Sequence, residues 1–330
     1  MRSRYGGVEL WARELSARLP AIAPDRYRVV APPALLAGPA GQPWEQVVLP
    51  GGARIAGASL ILGPANLAPL AYGGNVVVIH DAAAIREPEW YSPTYARWQR
   101  MVMPRIAQGA EAVIVPSEFS KDEVVELLGV DPLRVSVIPG GVDDRFSPDV
   151  DPDPAALALG LAKPYVLSVG GMTSRKTFGV LEEVASALAA DGVEVVVAGE
   201  ERRELDGVLP GGLRYLGRVP DALLPGLYAG AQAFVLPSLH EGFGLTALEA
   251  MKSGLPVVVS NRGALPELCG DAATCVDPLD AEAIAAALRE AIATEAPVPA
   301  AVERANGFSW EETAARVDAL VGELLAGSRA

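Results

Sequence analysis

Short runs of β-branched and aliphatic residues recur along the chain, and most are followed by stretches whose apolar positions repeat with a helical period. Alternating strands and helices of this kind are typical of parallel sheets with helical crossovers. The runs that predict strands are, in chain order, RYRVV, EQVVLP, ASLILG, NVVVIH, EAVIVP, RVSVIP, YVLSVG, VEVVVAG, LRYLG, AFVLP, PVVVS and TCVDP. The pattern predicts an α/β protein.

The series of strands and helices divides near PGGVDDRFSPDVDPDP, residues 139 to 154, where Gly, Pro and Asp are concentrated. A linker of this composition in a chain of 330 residues indicates two domains. We expect two tandem Rossmann-like domains, residues 1–148 and 149–308, and a C-terminal helix, residues 309–330, that crosses back to the first. Because ligands of open α/β sheets bind beyond the carboxyl ends of the strands, a cleft between the domains is the expected site.

Helix-end patterns add detail to this organisation. Ser120 and Glu123 have the spacing of a capping box before VVELLG, and Ser309 and Glu312 repeat that spacing before the last helix. The segment DAEAIAAALREAIA predicts a plain amphipathic helix. None of these features carries chemistry by itself.

Composition narrows the possible functions. The net charge of -14 argues against nucleic acid as a partner, because phosphate binding needs a basic face. Residues 1–150 hold 14 basic and 16 acidic side chains, so residues 151–330 carry a net -12, and the first half is the better place for an acidic or membrane-bound partner. No apolar run approaches the ~20 residues that span a bilayer, and we expect a cytoplasmic protein. Cys269 and Cys275 match no disulfide framework or zinc site.

The segment EGFGLTALE places Glu241 before a turn with two glycines and Glu249 on the helix that follows. The backbone of Gly242, Phe243, Gly244 and Leu245 can approach a ligand closely, and the first helical turn favours an anion. Two simpler interpretations stay open: Thr246 and Glu249 form a capping box, and Glu241 is a solvated loop charge. A dinucleotide fingerprint fails, since SLHE separates the glycines from their strand and no ribose-binding acid follows.

Three other places hold candidate binding groups. Arg175 and Lys176 follow a strand and precede a helix, which suits a diphosphate, although a solvated pair of cations is the alternative. Gly6 and Gly7 stand just before a helix and can present amides to phosphate, but such a pair is weak evidence. His80 ends a strand, where a catalytic role competes with a structural one.

In this order, these segments resemble the retaining glycosyltransferases of the GT-B fold, specifically family 4. The most specific part is PSLHEGFGLTALEAMKSGLPVVVSNRGALPEL, which is similar to the family's signature of two glutamates separated by seven residues. The segments IHDAAAIREPEWYSP, EAVIVPSEFSKDEVVELLGV and VIPGGVDDRFSP resemble bacterial mannosyltransferases of the same group.

The resemblance implies a role for each candidate residue. Glu241 would hold hydroxyls of the transferred sugar, Glu249 the nucleotide ribose, and Arg175 with Lys176 the leaving diphosphate. Amides near Gly7 would assist, and His80 would lie by the reacting face of the sugar, beside the acceptor. Backbone groups near GRVP, with Val219, would recognise the base. No metal or other cofactor is implied.

The sequence also departs from the family pattern. The family usually has Pro where this chain has Thr246, Asn where it has Thr177, and Glu-Pro where it has Thr173 and Ser174. The family also begins with a strand of about six residues before the glycine pair, whereas only MRSRY precedes it here. We expect either a natural start about ten residues upstream or a first sheet that lacks a member.

The resulting hypothesis is a metal-independent, retaining hexosyltransferase that uses a nucleotide-diphosphate sugar, with GDP-mannose favoured by the subfamily likeness. Its acceptor is a glycan, a lipid-linked sugar or a small molecule. The segment YSPTYARWQRMVMPRIA, with several arginines, could touch the inner face of the membrane, although an ordinary packed helix has the same pattern. A nucleotide-sugar epimerase of the same fold and a non-catalytic sugar-nucleotide-binding protein are the alternatives.

Overall fold

The computed structural model describes residues 6–33, 43–162, 164–171, 173–199 and 213–327. These residues form two units. The N-terminal unit comprises residues 6–141 and the C-terminal helix, residues 310–327, and the C-terminal unit comprises residues 142–309. Each unit is built around its own parallel sheet.

The strands of the described residues, in chain order, are β1 (Ile61–Gly63), β2 (Asn75–Val78), β3 (Ala112–Val115), β4 (Val135–Val137), β5 (Tyr165–Val169), β6 (Glu194–Ala198), β7 (Leu213–Tyr215), β8 (Ala233–Leu236), β9 (Val257–Ser260) and β10 (Thr274–Val276). The prediction of two parallel α/β sheets is confirmed.

The α-helices are α1 (Gly7–Ile22), α2 (Leu49–Ile55), α3 (Ala83–Arg86), α4 (Pro93–Gly109), α5 (Glu118–Leu128), α6 (Asp153–Leu159), α7 (Phe178–Ala189), α8 (Leu224–Ala229), α9 (Leu245–Lys252), α10 (Leu265–Cys269), α11 (Ala281–Ala293), α12 (Pro299–Asn306) and α13 (Trp310–Gly327). A π-helix, Trp44–Val48, precedes α2. None of the described helices is both long enough and apolar enough to cross a membrane.

The sheet of the N-terminal unit has the order β1-β2-β3-β4, and its neighbouring strands are parallel. Every residue of β2 and β3 is buried. Burial on both faces explains why residues 76–78 and the whole of β3 are continuous apolar runs without polar alternation. Helices α4 and α5 contribute Met103, Ile106 and Leu128 to the core below them.

The last helix, α13, packs against α1 in the N-terminal unit. The rings of Trp11 and Trp310 meet edge to face at 5.5 Å, and both side chains are buried. At the exposed rim, Arg18 pairs with Glu311 and Arg26 with Asp318. An aromatic core with charged pairs at its edge joins the two ends of the described chain.

The sheet of the C-terminal unit has the order β10-β9-β8-β5-β6-β7, again with parallel neighbours. From β5 the chain adds β6 and β7 towards one edge of the sheet. From β8 it adds β9 and β10 towards the other edge. The point between β5 and β8 is therefore the topological switch, where neighbouring loops leave the carboxyl edge in opposite directions. In sheets of this kind, that position is where ligands bind.

Two predicted strands are wrong. RYRVV has no strand structure, and Val29 and Val30 are more than half exposed. EQVVLP forms the π-helix and the start of α2, where Val47 is also exposed. β-branched residues favour strands only where a neighbouring strand and an apolar layer cover them, and these segments lack that cover in the described structure.

Candidate active site

Two loops meet at the switch between β5 and β8. The loop after β5 contains a 3-10 turn, Ser174–Lys176, and the loop after β8 runs from Pro237 to the start of α9. The amide of Leu239 donates to the carbonyl of Arg175 at 2.7 Å, so the two loops are joined through their backbones. Residues far apart in sequence are thereby brought to one place.

Lys176 and Glu241 form a buried ion pair at this place. Their Nζ and Oε1 atoms are 3.2 Å apart, and each residue is less than a tenth exposed. Arg175 Nη1 lies 4.0 Å from the other carboxylate oxygen, and the hydroxyl of Ser238 donates to Oε1 at 3.1 Å. The predicted residues Arg175, Lys176 and Glu241 are therefore neighbours, and the alternatives of solvated loop charges are wrong for Lys176 and Glu241.

The ionisation of Glu241 reflects this environment. Burial raises the pKa of the Glu241 carboxyl, but the charges of Lys176 and Arg175 and the hydrogen bonds from Lys176 and Ser238 outweigh burial. The result is a pKa of about 2. The group is a carboxylate at neutral pH, where it can accept hydrogen bonds from hydroxyls.

Glycines leave the space that Lys176 occupies. A Cβ atom built on Gly170 would overlap the ammonium group of Lys176, and one built on Gly199 would overlap the carbonyl of Gly170. Gly170 and Gly199 follow β5 and β6 directly, and the amide of Gly170 donates to Ala198 at 2.8 Å. The close approach of these two backbones holds the lysine side chain against Glu241.

The backbone of Glu241 is held from a third loop, which follows β9. Gly263 has φ 68°, and a Cβ atom there would lie 2.8 Å from the carbonyl oxygen of Glu241. The amide of Ala264 donates to that same carbonyl at 2.9 Å. A left-handed position packed against the backbone requires glycine, which is the signal that NRGALPE carried in the sequence.

The glycine-rich turn continues from Glu241 to the start of α9. Gly242, Phe243 and Gly244 are buried, and the Phe243 ring packs edge to face on Phe308 at 6.0 Å. Gly244 is the N-cap residue of α9, with φ 108°, and Leu245 is the first helical residue. The helix α9 therefore begins shortly after Glu241 in the sequence.

Glu249 has a different partner from the one that a capping box requires. Because α9 begins at Leu245, Thr246 lies inside the first turn and is not an N-cap residue. The hydroxyl of the buried Tyr228 donates to Glu249 Oε2 at 2.6 Å, and Glu249 is itself buried. The capping-box alternative is wrong. Tyr228 was missed because its partner is 21 residues away on another helix.

Val219, the residue proposed near the base, is buried in the core of the C-terminal unit. It follows β7 and Gly217, whose φ of 63° is left-handed. The carbonyl of Gly217 accepts from the amide of Gly199 at 2.9 Å, which ties this segment to the loop after β6.

The remaining predicted residues belong to the N-terminal unit. Gly6 is the N-cap residue of α1 and Gly7 its first residue, and the amide of Gly6 donates to the carboxylate of Glu9. His80 follows β2 and is buried, with its Nε2 atom 3.0 Å from the carbonyl oxygen of Pro64 and its ring 5.4 Å from Trp11. Burial lowers the pKa of His80, against opposing effects of the Pro64 hydrogen bond and Asp81.

Solved structures share this fold over nearly the whole chain. A sucrose-phosphate synthase from Thermosynechococcus elongatus superposes with a TM-score of 0.76 at 22% identity, over 98% of this chain and 94% of that one. Anabaena Alr3699/HepE, solved in complex with UDP and glucose, gives 0.73 at 21% identity, over 98% and 97%. The two units thus have the GT-B fold of glycosyltransferases.

Sequence comparison then gives the family. Residues 163–294 match the family described as "Glycosyl transferases group 1", and residues 56–146 match "Glycosyltransferase Family 4". The O-antigen chain mannosyltransferase B of Escherichia coli is 32% identical over 72% of this chain and 67% of its own. A D-inositol 3-phosphate glycosyltransferase of Geodermatophilus obscurus is 34% identical over 68% and 54%. The chain belongs to family 4 of the glycosyltransferases, and it spans between about half and two thirds of these two relatives.

Proposed function

We propose that the protein transfers a hexose from a nucleoside-diphosphate sugar to a hydroxyl of an acceptor. The observation that carries this proposal is the buried Lys176–Glu241 pair, with Arg175 beside it, at the switch of a parallel sheet. The two cations suit the charge that develops on a departing diphosphate, and the carboxylate suits the hydroxyls of the sugar.

The bond changes of the proposed reaction are simple. The bond from the anomeric carbon to the diphosphate oxygen breaks while a bond to the acceptor oxygen forms on the same face. Because the acceptor oxygen bonds on the face that the phosphate leaves, the configuration is retained, and the acceptor proton passes to the departing phosphate. Lys176 and Arg175 stabilise the negative charge as it forms, which is why we propose transfer without a metal ion.

In this proposal, other residues bind the remaining parts of the donor. The N-terminus of α9, with Gly244 and Leu245, favours negative charge, and Glu249 accepts the ribose hydroxyls. Gly6 and Gly7 contribute amides to the phosphate, the amide of Gly6 leaving its bond to Glu9 when the donor binds. Val219 and its neighbours contact the base, and His80 lies near the reacting face. Similarity to an O-antigen mannosyltransferase favours mannose, carried as GDP-mannose.

Helix α4 supports a proposal about the acceptor. Its solvent side carries exposed arginines together with Tyr95 and Met101, which are 42% and 53% exposed. Tyr91, Tyr95 and Trp98 form a row of rings 5.6 and 6.2 Å apart. Basic and aromatic groups on one helix suit an anionic membrane surface, and we propose peripheral contact there with a lipid-linked acceptor. Sedimentation with anionic and neutral vesicles tests it; equal binding to both would contradict it.

Purified protein, radiolabelled GDP-mannose or UDP-glucose and a membrane extract test the main proposal. Label in an acceptor supports transfer, an altered free donor indicates epimerisation, and saturable binding alone indicates a binding protein. Proton NMR of the new linkage reports retention, and activity in EDTA reports independence from metal. An inverted linkage would contradict retention of configuration. Loss of activity in EDTA would contradict transfer without a metal ion.

Lys176→Ala provides the residue-level test. We expect kcat/KM to fall by about a hundredfold or more, because the cation beside the leaving group is removed. Lys252→Ala is the matched control in the same unit, since the partly buried Lys252 pairs with the exposed Asp144 at 2.9 Å. Equal activity of the two variants would remove the support that the ion pair gives to the proposal.

A further inference from the structure

A tight turn follows β1 in the N-terminal unit and carries an asparagine in an unusual conformation. A Cβ atom on Gly63 would overlap the carbonyl of Leu67, so the segment between them closes sharply. Asn66 has φ 63°, one of two left-handed positions occupied by residues other than glycine in the described chain. Asn tolerates this conformation better than most side chains, and its cost is usually balanced by a specific contact.

The contact is with the end of β2. β1 ends at Gly63, which lies opposite Val77, so β2 continues beyond its neighbour. The amide of Asn66 donates to Val78 at 2.9 Å, and the amide of His80 donates to Asn66 Oδ1 at 2.7 Å. The asparagine carboxamide thus takes the place of a strand carbonyl opposite His80.

The same turn also contacts the imidazole. The Nε2 atom of His80 lies 3.0 Å from the carbonyl oxygen of Pro64. A carbonyl only accepts hydrogen bonds, so Nε2 must carry the proton and Nδ1 is the unprotonated nitrogen of the neutral ring. On the other side, Ser120 Oγ donates to the carbonyl of His80 at 3.1 Å, and Trp11 packs edge to face on the ring.

We infer that Asn66 is a positioning residue for His80: its carboxamide fixes the backbone so that Pro64 holds the ring as the Nε2–H tautomer. The inference rests on the proposed function, in which His80 lies at the reacting face of the sugar. Asn66 itself acts only through His80. Its loss should leave donor binding intact and slow the step that depends on the ring.

The test compares two substitutions at the same position. Asn66→Gly keeps the left-handed backbone and removes the accepting oxygen, whereas Asn66→Asp keeps both the oxygen and the tolerance of a left-handed φ. Gln46→Ala is the control, because Gln46 bonds Ala68 and Leu70 of the same segment without a contact to His80. Thermal melting establishes that each variant is folded.

The readout is the imidazole itself. The chain has two histidines, so nitrogen NMR of histidine-labelled protein shows two rings, and His240→Gln assigns them. We expect the Nε2–H tautomer at His80 in the wild type, in Gln46→Ala and, at about pH 8, in Asn66→Asp, with a mixture in Asn66→Gly. For Asn66→Gly we also expect kcat to fall about tenfold with the donor KM within about twofold.

The possible failures are distinguishable. A wild-type protein that transfers no sugar would contradict the proposed function, while the NMR result would still report whether Asn66 sets the tautomer. An active wild type whose Asn66→Gly variant keeps both the tautomer and kcat would overturn the inference. So would an Asn66→Asp variant that is folded but restores neither.

Discussion

The hydroxyl of Tyr228 donates a hydrogen bond of 2.6 Å to Oε2 of Glu249, and both residues are buried in the C-terminal unit. The Tyr228 ring is fixed in turn by Phe146, which meets it edge to face at 5.4 Å. The tyrosine therefore sets the position of a carboxylate to which we assign the ribose hydroxyls.

Tyr228→Phe should weaken donor binding. A buried carboxylate loses a donor, which typically costs about 1–3 kcal/mol and leaves Glu249 able to move. Isothermal titration with GDP-mannose should show an affinity about tenfold lower. Tyr165→Phe is the matched control, because Tyr165 donates to the backbone carbonyl of Leu227 at 2.7 Å in the same core. A similar loss of affinity in the control would contradict a special role for Tyr228.

Glu241 should make the stability of the protein depend on pH in acid. Its folded pKa of about 2 lies below the ordinary value of 4.5, so the ionised carboxylate stabilises the fold. That contribution is complete above about pH 4.5 and is lost as the pH falls towards about 2. The difference in unfolding free energy between the wild type and Glu241→Gln should shrink by about 2 kcal/mol between about pH 5 and pH 3. Urea unfolding measures it, and a constant difference would show that the folded pKa is not depressed.

Gly170→Ala should move the side chain of Lys176 away from its place while leaving the lysine itself in the sequence. The added methyl would meet the end of a flexible side chain, so Lys176 can move away while the fold persists. We expect kcat/KM to fall at least about tenfold, with a moderate fall in Tm because a side chain at the Gly170 φ of 159° is strained. Gly199→Ala should instead lower Tm strongly, because its methyl would meet the carbonyl of Gly170, which cannot move independently. Differential scanning calorimetry and steady-state kinetics separate the two; the reverse order would contradict the packing.

Thr177→Asn should stabilise the protein. Thr177 has φ 33° and ψ 48°, a left-handed conformation that a β-branched residue adopts only with strain, and it stands directly before α7. Asparagine tolerates the conformation, and its carboxamide can donate to the carbonyl of Pro237 in place of the hydroxyl, so the substitution should add about 1 kcal/mol to the unfolding free energy. Thr177→Ala, which keeps the strain and loses the hydroxyl bond to the carbonyl of Pro237, should be less stable than the wild type. Chemical denaturation ranks the three, and an Asn variant below the wild type would argue against backbone strain.

The sequence predicted the sheets where apolar runs are buried on both faces, as in β2, β3, β5 and β8. It failed for RYRVV and EQVVLP, because local β propensity does not show whether a neighbouring strand is present. The start of α5 was also misjudged: Ser117 caps it, accepting from Ser120, and Glu123 pairs with Arg86 at 2.5 Å. The segment DAEAIAAALREAIA was predicted correctly as α11, with Asp280 as its cap.

For the site, the predicted charges Arg175, Lys176 and Glu241 could be found from their positions after strands. The residues that hold the proposed site residues in position could not be found in this way. Tyr228, Gly263 and Asn66 act through contacts with residues distant in the chain, and no short spacing pattern shows them. The departure at Thr177 was visible in the sequence, but its meaning came from the left-handed backbone that the fold requires there.

The amide of Val142 donates to the carbonyl of Phe308 at 3.1 Å, near the two points at which the chain enters and leaves the C-terminal unit. This hydrogen bond joins the two ends of the C-terminal unit. In sequence, the unit is an insertion between the two parts of the N-terminal unit. Recombination at these two adjacent junctions can exchange the whole C-terminal unit while α1 and α13 stay paired. Such an exchange would replace Lys176, Glu241 and Glu249, to which we assign the donor, and would leave the packing of Trp11 on Trp310 unchanged.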